Sequence, residues 1–377
     1  VLGDRHAAML LEGTAKHTKH DIQIMLDSIG ASLSFSADKC RLVFHARVRA
    51  VHAGKLLALI SECLRVPSFP EEEIAHLKAR MNAELSLEAQ NTRAQAGINL
   101  SRILFSQRHP NRQEDTAHSK VAVLKMTRKE LLAYHASAID GRSLIVSIAG
   151  DMARDQAFVL IEKHFAKLSI MALPLAPYSA TRTMPKQQVF ASIEDKASID
   201  YMLGVATGIT NDHTDYPALL LGLQVLGSRS GFTGRLMKTV REEEGLTYGV
   251  YAYPGGFSYG TDGYVTIWAT FAPELFEKGR IAVMREIRKI VEEGPTALEV
   301  KRHREMYEAR SRVLCANSVD LSRVAHDITV EGKHPSYLDE FPQRILKLTK
   351  AQVHKALKKY LVIKNLSESA AGPIGDL

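Results

Sequence analysis

A short sequence pattern occurs twice in this chain, and it limits the folds that the chain can adopt. The run Val123-Leu-Lys-Met-Thr-Arg resembles Ile345-Leu-Lys-Leu-Thr-Lys, which lies 222 residues further along. In each copy a threonine, Thr127 or Thr349, precedes a helical pattern and can accept hydrogen bonds from the free N–H groups of the first turn. Short capping patterns also recur by chance, so duplication is indicated only if the surrounding elements recur as well.

The first half of the chain combines helical and strand patterns. Asp21–Ile29 has apolar residues on one helical face, and Gly30 follows where a C-cap glycine is expected. Alternating apolar and polar residues around Leu33 and Phe35, and again over Leu42–Val48, predict a hairpin of half-buried strands. Two further helices are predicted at Val51–Leu64 and Pro70–Glu88.

The second half shows a similar order of elements. Strands are predicted at Ile199–Val205, at Val250 and at Tyr264–Phe271, and helices at Tyr216–Leu226, Glu274–Glu292 and Thr296–Leu314. Between the halves, residues 168–190 contain several prolines, few charges and no helical period, which is typical of an exposed linker. We therefore predict an α+β fold of two duplicated domains, residues 1–180 and 181–377, each an antiparallel-rich sheet with helices packed on one side.

Composition excludes several classes of protein. The chain has 49 basic and 42 acidic residues, a net charge of +7 that is dispersed, whereas a nucleic-acid platform needs a denser basic stripe interleaved with aromatic residues. No apolar run approaches the roughly 18 residues that a membrane span requires. The three cysteines, Cys40, Cys63 and Cys315, are far apart, so we expect buried free thiols rather than a thiolate metal site.

Few residues show the spacing of a known catalytic site. His17 and His20 lie three apart without a glutamate between them, so we expect a polar turn rather than a zinc pair. The stretch from Gly231 to Tyr251 is different, because a glycine-flanked helix ends at Gly245 and a strand follows. Arg241 and Tyr248 lie seven apart across that turn, and their side chains can project to one side. The alternative is an ordinary corner with an exposed arginine and a half-buried tyrosine.

This stretch resembles the C-terminal half of the pitrilysin or insulinase (M16) metallopeptidases, especially the shorter bacterial subfamily that includes the mitochondrial processing peptidase. The likeness extends over nearly the whole chain, and the order and spacing of its pieces carry it. The other matching pieces are Met9–Thr14, Ile29–Leu33, Arg65–Pro70, His109–Pro110, Ile148–Asp151 and Glu293–Thr296.

The resemblance implies a zinc motif, HxxEH, that this chain lacks. Counting back from Gly13 and Thr14, the two histidines and the glutamate of the motif fall on Asp4, Ala8 and Ala7. Glu84 falls where the family has its last zinc ligand, but catalytic zinc needs three protein ligands. His6 lies two positions away from each histidine position of the motif and on a different helical face. We therefore expect no metal and no other cofactor in this chain.

The resemblance also implies a role for Arg241 and Tyr248, which match the family's arginine–tyrosine pair at its spacing of seven. In the family this pair stabilises the oxyanion and binds substrate carbonyls. We therefore expect a non-catalytic, substrate-binding subunit of a heterodimeric zinc peptidase, with an HxxEH partner that supplies zinc and with unfolded peptides as substrates. Neither nucleic acid nor a membrane span is expected. The bacterial periplasm is the expected compartment, with the mitochondrial matrix as the alternative.

Two other functions stay open. The family includes structural core subunits of respiratory complexes, so the chain could be a scaffold without a peptidase role. An independent enzyme with an unforeseen site is the third hypothesis, which a measurement of bound zinc in the isolated chain would decide.

Overall fold

A computed structural model describes residues 2–38, 41–139, 141–168, 185–228, 233–258 and 260–375. Contacts divide the chain into two compact units. The N-terminal unit comprises Val1–Ser86, Asp115–Pro177 and Asn317–Asp327, and the C-terminal unit comprises Leu87–Glu114, Tyr178–Ala316 and Ile328–Leu377. Each unit thus contains a short segment from the other half of the sequence. Most of the expected linker, and with it the expected boundary at residue 180, lies outside the described residues.

The helices and strands follow the expected order. Up to residue 165 they are α1 (Leu2–Met9), α2 (Lys19–Ser28), β1 (Ser32–Ala37), β2 (Leu42–Arg47), α3 (Ala53–Arg65), α4 (Glu71–Ala89), α5 (Thr92–Leu104), α6 (Thr116–Lys125), α7 (Arg128–Ala138) and α8 (Arg154–Phe165). From residue 188 they are β3 (Gln188–Ser192), β4 (Ile199–Ala206), α9 (Tyr216–Gly227), a π-helix (Met237–Glu243), β5 (Gly249–Gly255), β6 (Tyr264–Phe271), α10 (Phe276–Glu293), α11 (Ala297–Val313), α12 (Ser318–Val330), α13 (Tyr337–Leu346), α14 (Lys350–Tyr360) and β7 (Ser367–Gly372).

The two copies of the repeated pattern cap equivalent helices. Thr127 accepts from the backbone N–H of Glu130 at the start of α7, and Thr349 accepts from that of Gln352 at the start of α14. In both helices the third residue reaches back to the backbone N–H of the threonine, which completes a capping box. The predicted caps are therefore confirmed.

The N-terminal unit packs its helices around an apolar cluster beside a two-stranded antiparallel hairpin. In that hairpin, β1 pairs with β2 from Ser32 opposite Arg47 to Ala37 opposite Leu42. Met9, Leu10 and Ile60 are fully buried in the cluster, which includes residues of α1, α3 and α7. The first helix, on which the family carries its zinc motif, is thus fixed against the core of this unit.

A five-stranded sheet organises the C-terminal unit, in the order β3-β7-β4-β6-β5. Its strands pair antiparallel except for β3 with β7, which confirms the antiparallel-rich α+β fold. Alternate residues of β4, such as Tyr201 and Leu203, enter the main apolar cluster together with α9, α10 and α14. Burial of this face supplies most of the hydrophobic stabilisation of the unit.

Helix α5 covers the other face of the same sheet, whereas the sequence analysis expected helices on one side only. Its apolar residues Leu100 and Leu104 pack against Met202 and Trp268. At its first turn, the Thr92 hydroxyl lies 2.5 Å from the Asp200 carboxylate on β4. Both faces of the central strands are therefore buried, which explains why β4 is apolar over nearly its whole length.

The cysteines that the structure describes are free thiols, as the sequence predicts. Cys63 is a buried free thiol whose pKa burial raises to about 12, Cys315 is a half-buried free thiol, and Cys40 lies outside the described residues. Among the residues that the structure describes, no helix is long and apolar enough to span a membrane.

Candidate functional site

Arg241 lies near the end of a π-helical segment. Other residues of this segment pack into the core and hold the segment in place. Leu236, Met237 and Val240 are completely buried, so the opposite face of Met237–Glu243 is turned outward. π-Helical turns are rare and occur frequently at functional sites. The preceding residue Arg235 anchors the segment through a two-pronged ion pair with Glu299, with N–O distances of 2.7 and 2.8 Å.

The glycines around this segment are required by its backbone. Gly234 has a φ of +112°, and a Cβ on it would lie 2.8 Å from the Cα of Gly227. Gly245 has a φ of +62°, a left-handed conformation that ends the helix and that glycine adopts without steric cost. These two glycines fix where the segment begins and ends, and therefore where Arg241 is presented.

Tyr248 is directed outward by its two neighbours. Thr247 and Gly249 are buried, and the Thr247 hydroxyl lies 2.5 Å from the carbonyl oxygen of Thr270 on β6. A Cβ on Gly249 would lie 3.1 Å from the Trp268 ring, so the chain passes close to the sheet here. Tyr248 is 86% exposed, so the alternative interpretation, which expected a half-buried tyrosine, is wrong on this point.

The structure brings the two predicted residues together. The guanidinium carbon of Arg241 lies 5.7 Å from the centroid of the Tyr248 ring, within the range of a cation–π contact. A phenol O–H and a guanidinium are both hydrogen-bond donors, so the contact places two donor groups next to each other. The role of the pair in substrate binding and catalysis stays a prediction.

The positions of the zinc motif do not form a metal site. Asp4 is exposed on α1, while Ala7 and Ala8 offer no ligand atoms. Glu84 is exposed on α4, where its carboxylate lies 3.9 Å from Arg80. In the described part of the chain, no group of three or more His, Cys, Asp or Glu side chains could hold a metal ion. The residues present at these positions do not fit zinc.

His6 takes part in a buried pair instead of a metal site. Its Nε2 lies 2.8 Å from Nδ1 of His135 on α7, and the ring of His6 packs edge-on against Tyr134. Burial, and to a lesser extent His135, lowers the pKa of His6 to about 3, so both rings are neutral at pH 7 and one N–H donates to the other ring. The two histidines are 129 residues apart, which is why the sequence did not reveal the pair.

Other histidines have structural partners. His20 is exposed as expected, but His17 is partly buried and its Nδ1 lies 2.7 Å from Glu62. His109, which lies outside the helices and strands, is buried with its Nε2 3.0 Å from the Asp262 carboxylate. These contacts fix loops within their own units.

Two family models match the chain. Residues 6–114 match the insulinase (peptidase family M16) model, and residues 125–307 match the model described as the peptidase M16 inactive domain. Together the two matches cover most of the chain, and the second includes both Arg241 and Tyr248.

Relatives and solved structures agree with the family models. An uncharacterized zinc protease of Streptomyces coelicolor is 21% identical over 98% of this chain and 80% of its own length. The β subunit of the bovine mitochondrial-processing peptidase is 18% identical over 58% of this chain and 44% of its own length. A crystal structure titled as a peptidase M16 inactive domain, from Pseudomonas fluorescens, superposes with a TM-score of 0.83 at 25% identity, over 98% of this chain and 87% of that one. The chain therefore belongs to the M16 (insulinase) peptidase family, and its residues 125–307 are of the inactive-domain type.

Proposed function

We propose that this chain is the non-catalytic, substrate-binding subunit of a heterodimeric M16 zinc peptidase. One observation carries the proposal: the guanidinium carbon of Arg241 lies 5.7 Å from the centroid of the Tyr248 ring, while Asp4, Ala7 and Ala8 stand at the positions of the zinc motif. The chain thus keeps the donors that act on the substrate and lacks the ligands for the metal. A partner subunit with an intact HxxEH motif would complete the site.

The chemistry of the pair fits oxyanion stabilisation. During hydrolysis of a peptide bond, negative charge develops on the carbonyl oxygen, and a donor aimed at that oxygen stabilises the transition state more than the ground state. The Tyr248 hydroxyl supplies one such donor, and the Arg241 guanidinium supplies a planar fork of donors for carbonyl oxygens. Loss of one donor of this kind typically costs about 3–4 kcal/mol of transition-state stabilisation.

The exposure of Tyr248 argues for a role in binding. A tyrosine that is 86% exposed contributes little to the apolar core, although its neighbours Thr247 and Gly249 are buried. Polar and aromatic groups presented on a rigid scaffold are typical of binding sites. A purely structural subunit has no need to present this pair, which is why the scaffold hypothesis ranks second.

The expected substrates are unfolded peptides, which could enter a chamber enclosed by the two subunits of the proposed heterodimer. The expected compartment is the bacterial periplasm, with the mitochondrial matrix as the alternative. The bacterial sources of two of the relatives described above, Streptomyces coelicolor and Pseudomonas fluorescens, support a bacterial origin.

Reconstitution with a partner tests the proposal. The chain is co-expressed with an M16 protein of the same genome that carries HxxEH, and zinc content and hydrolysis of a denatured casein substrate are measured for each chain alone and for the mixture. We expect one zinc per heterodimer, none in this chain, and hydrolysis only by the mixture. Hydrolysis by the partner alone at the full rate contradicts the proposal, as does one tightly held zinc in this chain. Stable association only with a subunit that also lacks HxxEH indicates the scaffold role.

A further inference from the structure

The C-terminal unit contains a cavity of about 350 Å³ between the first turns of α5 and the sheet face that α5 covers. Its polar lining comes from Asn91, Arg93, Gln113, Tyr253, Tyr264 and Thr266. Cavities of roughly 300–1,000 Å³ are the usual size of small-molecule sites, so this one can hold a ligand as large as an amino acid. We call it the Arg93 cavity.

Arg93 brings a positive charge to the cavity. Its guanidinium carbon lies 3.8 Å from the centroid of the Trp268 ring, and it forms no ion pair with any carboxylate in the described part of the chain. Trp268 is itself fixed, because its indole N–H donates to Asp200 at 2.6 Å. The charge is therefore held in place by stacking, and its N–H donors are not taken by an acidic side chain.

Thr266 provides an independent sign that the cavity binds a ligand. The residue is 2% exposed and lines the cavity, and its Oγ1 is buried without a hydrogen-bond partner among the described residues. Burial raises the pKa of the Tyr264 phenol and a weak side-chain hydrogen bond with Thr266 lowers it, but this bond does not reach the distance and angle of a full hydrogen bond. Buried polar groups are nearly always hydrogen-bonded, so an unpartnered hydroxyl beside a cavity indicates a missing partner.

Every polar side chain that lines the cavity can donate a hydrogen bond. Burial raises the pKa of Tyr264 to about 12, which keeps its phenol protonated at neutral pH. Tyr253, Thr266 and the side-chain amide of Gln113 can donate as well, and Arg93 only donates. An ionised carboxylate only accepts hydrogen bonds and carries the charge that Arg93 complements, so its chemistry matches this lining.

We propose that the Arg93 cavity binds a carboxylate carried by a ligand of amino-acid size, either the acidic side chain of a peptide or its C-terminal carboxyl group. The apolar walls formed by Leu100 and Met202 would accommodate the aliphatic part of such a ligand. The site does not depend on the proposed peptidase role, because binding is measurable in the isolated chain. Failure of this test leaves the role of Arg241 and Tyr248 unaffected.

The site has a defined place relative to Tyr248. Tyr253 lies on β5 five residues after Tyr248, which corresponds to roughly 17 Å along an extended strand. Consider a peptide bound along this strand with the carbonyl of one of its residues at Tyr248. The peptide residue about five positions further along would then lie at the cavity. In the peptidase complex, carboxylate binding would therefore select peptides with an acidic residue or a chain end at that distance.

The single tryptophan of the chain provides the readout, since Trp268 lies directly under Arg93. Three probes are titrated into the isolated full chain: N-acetyl-glutamate α-amide, N-acetyl-glutamine as the free acid, and N-acetyl-glutamine amide. The first carries only a side-chain carboxylate, the second only a terminal carboxylate, and the third neither. Binding is followed by tryptophan fluorescence and by the indole N–H signal in a ¹H–¹⁵N NMR spectrum.

We expect saturable binding of at least one acid, with a Kd of about 1 mM or tighter, and at least about tenfold weaker binding of the neutral amide. The acid that binds identifies the source of the carboxylate. Arg93→Gln is expected to weaken binding at least about tenfold, while Lys238→Gln, an exposed cation outside the cavity, leaves it unchanged. Thr266→Val keeps the side-chain volume and is expected to weaken binding about three- to tenfold even if Arg93→Gln impairs folding. Equal binding of all three probes, no response to either acid in both measurements, or undiminished binding by folded Arg93→Gln overturns the proposal.

Discussion

The Arg241 guanidinium lies over the ring of Tyr248, 5.7 Å from its centroid, although a helix end and a turn separate the two residues in the sequence. The contact is produced by the backbone on either side of it. Arg235 and Gly234 fix the start of the π-helix. Thr247, which directly precedes Tyr248, is buried and holds the start of the following strand. Two donors are thus presented together on a rigid part of the C-terminal unit.

Replacing Arg241 tests the binding half of the pair. In the reconstituted heterodimer, we expect Arg241→Gln to lower kcat/KM by about tenfold to a hundredfold, because a donor to substrate carbonyls is lost. Lys238→Gln removes an exposed charge from the same helix and is the matched control. Steady-state hydrolysis of one fluorogenic peptide gives kcat/KM for both variants. An equal loss of kcat/KM in the two variants would show that only surface charge matters.

The pair of His6 and His135 predicts how the stability of the N-terminal unit depends on pH. Burial and His135 lower the pKa of His6 from 6.5 in an ordinary environment to about 3 in the fold. Protonation of His6 therefore favours the unfolded chain. The stabilisation that the neutral His6 gives the fold is complete above pH 6.5 and is lost progressively as the pH falls towards 3. Each pH unit in this window costs up to about 1.4 kcal/mol for His6 alone.

Urea unfolding at several pH values between 7 and 5 measures this effect, because few carboxylates titrate in that range. We expect the free energy of unfolding to fall with a shallower slope in His6→Gln than in the unmodified chain. Far-UV circular dichroism follows the transition. Parallel slopes for the two proteins would show that His6 is not protonated on unfolding in this window.

Glu368 on β7 predicts a second pH dependence, in the C-terminal unit. Burial by itself raises the pKa of this carboxyl, but hydrogen bonds from Lys186 at 2.6 Å and from Tyr201 at 2.6 Å lower it to about 2. The stabilisation that the ionised Glu368 gives the fold is therefore complete above pH 4.5 and is lost as the pH falls towards 2. Glu368→Gln leaves two cations without their buried partner, Lys186 and Arg280, and we expect a loss of about 3 kcal/mol at pH 7.

The Trp268 fluorescence in urea, measured at pH 7 and pH 3, checks the prediction for Glu368. Glu277→Gln is the matched control, because Glu277 also pairs with Arg280 but is exposed, and we expect a loss below about 0.5 kcal/mol. We expect Glu368→Gln to lose less stability than the unmodified chain between the two pH values. An identical loss in both proteins would assign the acid sensitivity to other carboxyls.

The repeated caps predict equal local effects in the two units. Thr127→Ala and Thr349→Ala each remove the hydroxyl that accepts from the third residue of the helix, and each is expected to cost about 1 kcal/mol. Thr→Ser at either position keeps the hydroxyl and serves as the control. Amide hydrogen exchange in the first turns of α7 and α14 measures the effect, and unchanged protection in the alanine variants would contradict the capping role.

Local patterns explain which parts of the fold the sequence predicts well. Capping threonines, a C-cap glycine and alternating apolar residues act on neighbours a few positions away, so Thr349, Gly30 and the hairpin around Phe35 were predicted with errors of a few residues. Arg241 and Tyr248 were found in the same way, because they lie seven residues apart on either side of one turn.

Long-range contacts explain what the sequence did not reveal. The packing of α5 on the sheet joins Leu100 to Met202, and no local pattern records which helix covers the second face of a buried strand. The same holds for His6 with His135 and for Arg93 with Trp268, whose partners are more than a hundred residues apart. The sequence analysis expected helices on one side of the sheet, and no pattern local to β4 predicted that α5 covers the second face.

The kcat of the heterodimer that carries Tyr248→Phe tests the central claim most directly, since this substitution removes one hydroxyl from an exposed ring and leaves the packing intact. Tyr337→Phe in the same unit serves as the control for the loss of a phenol elsewhere. We predict that kcat falls at least about a hundredfold in Tyr248→Phe, with zinc content and heterodimer assembly unchanged, and stays within about twofold in Tyr337→Phe. A kcat for Tyr248→Phe equal to that of the unmodified heterodimer would contradict the account.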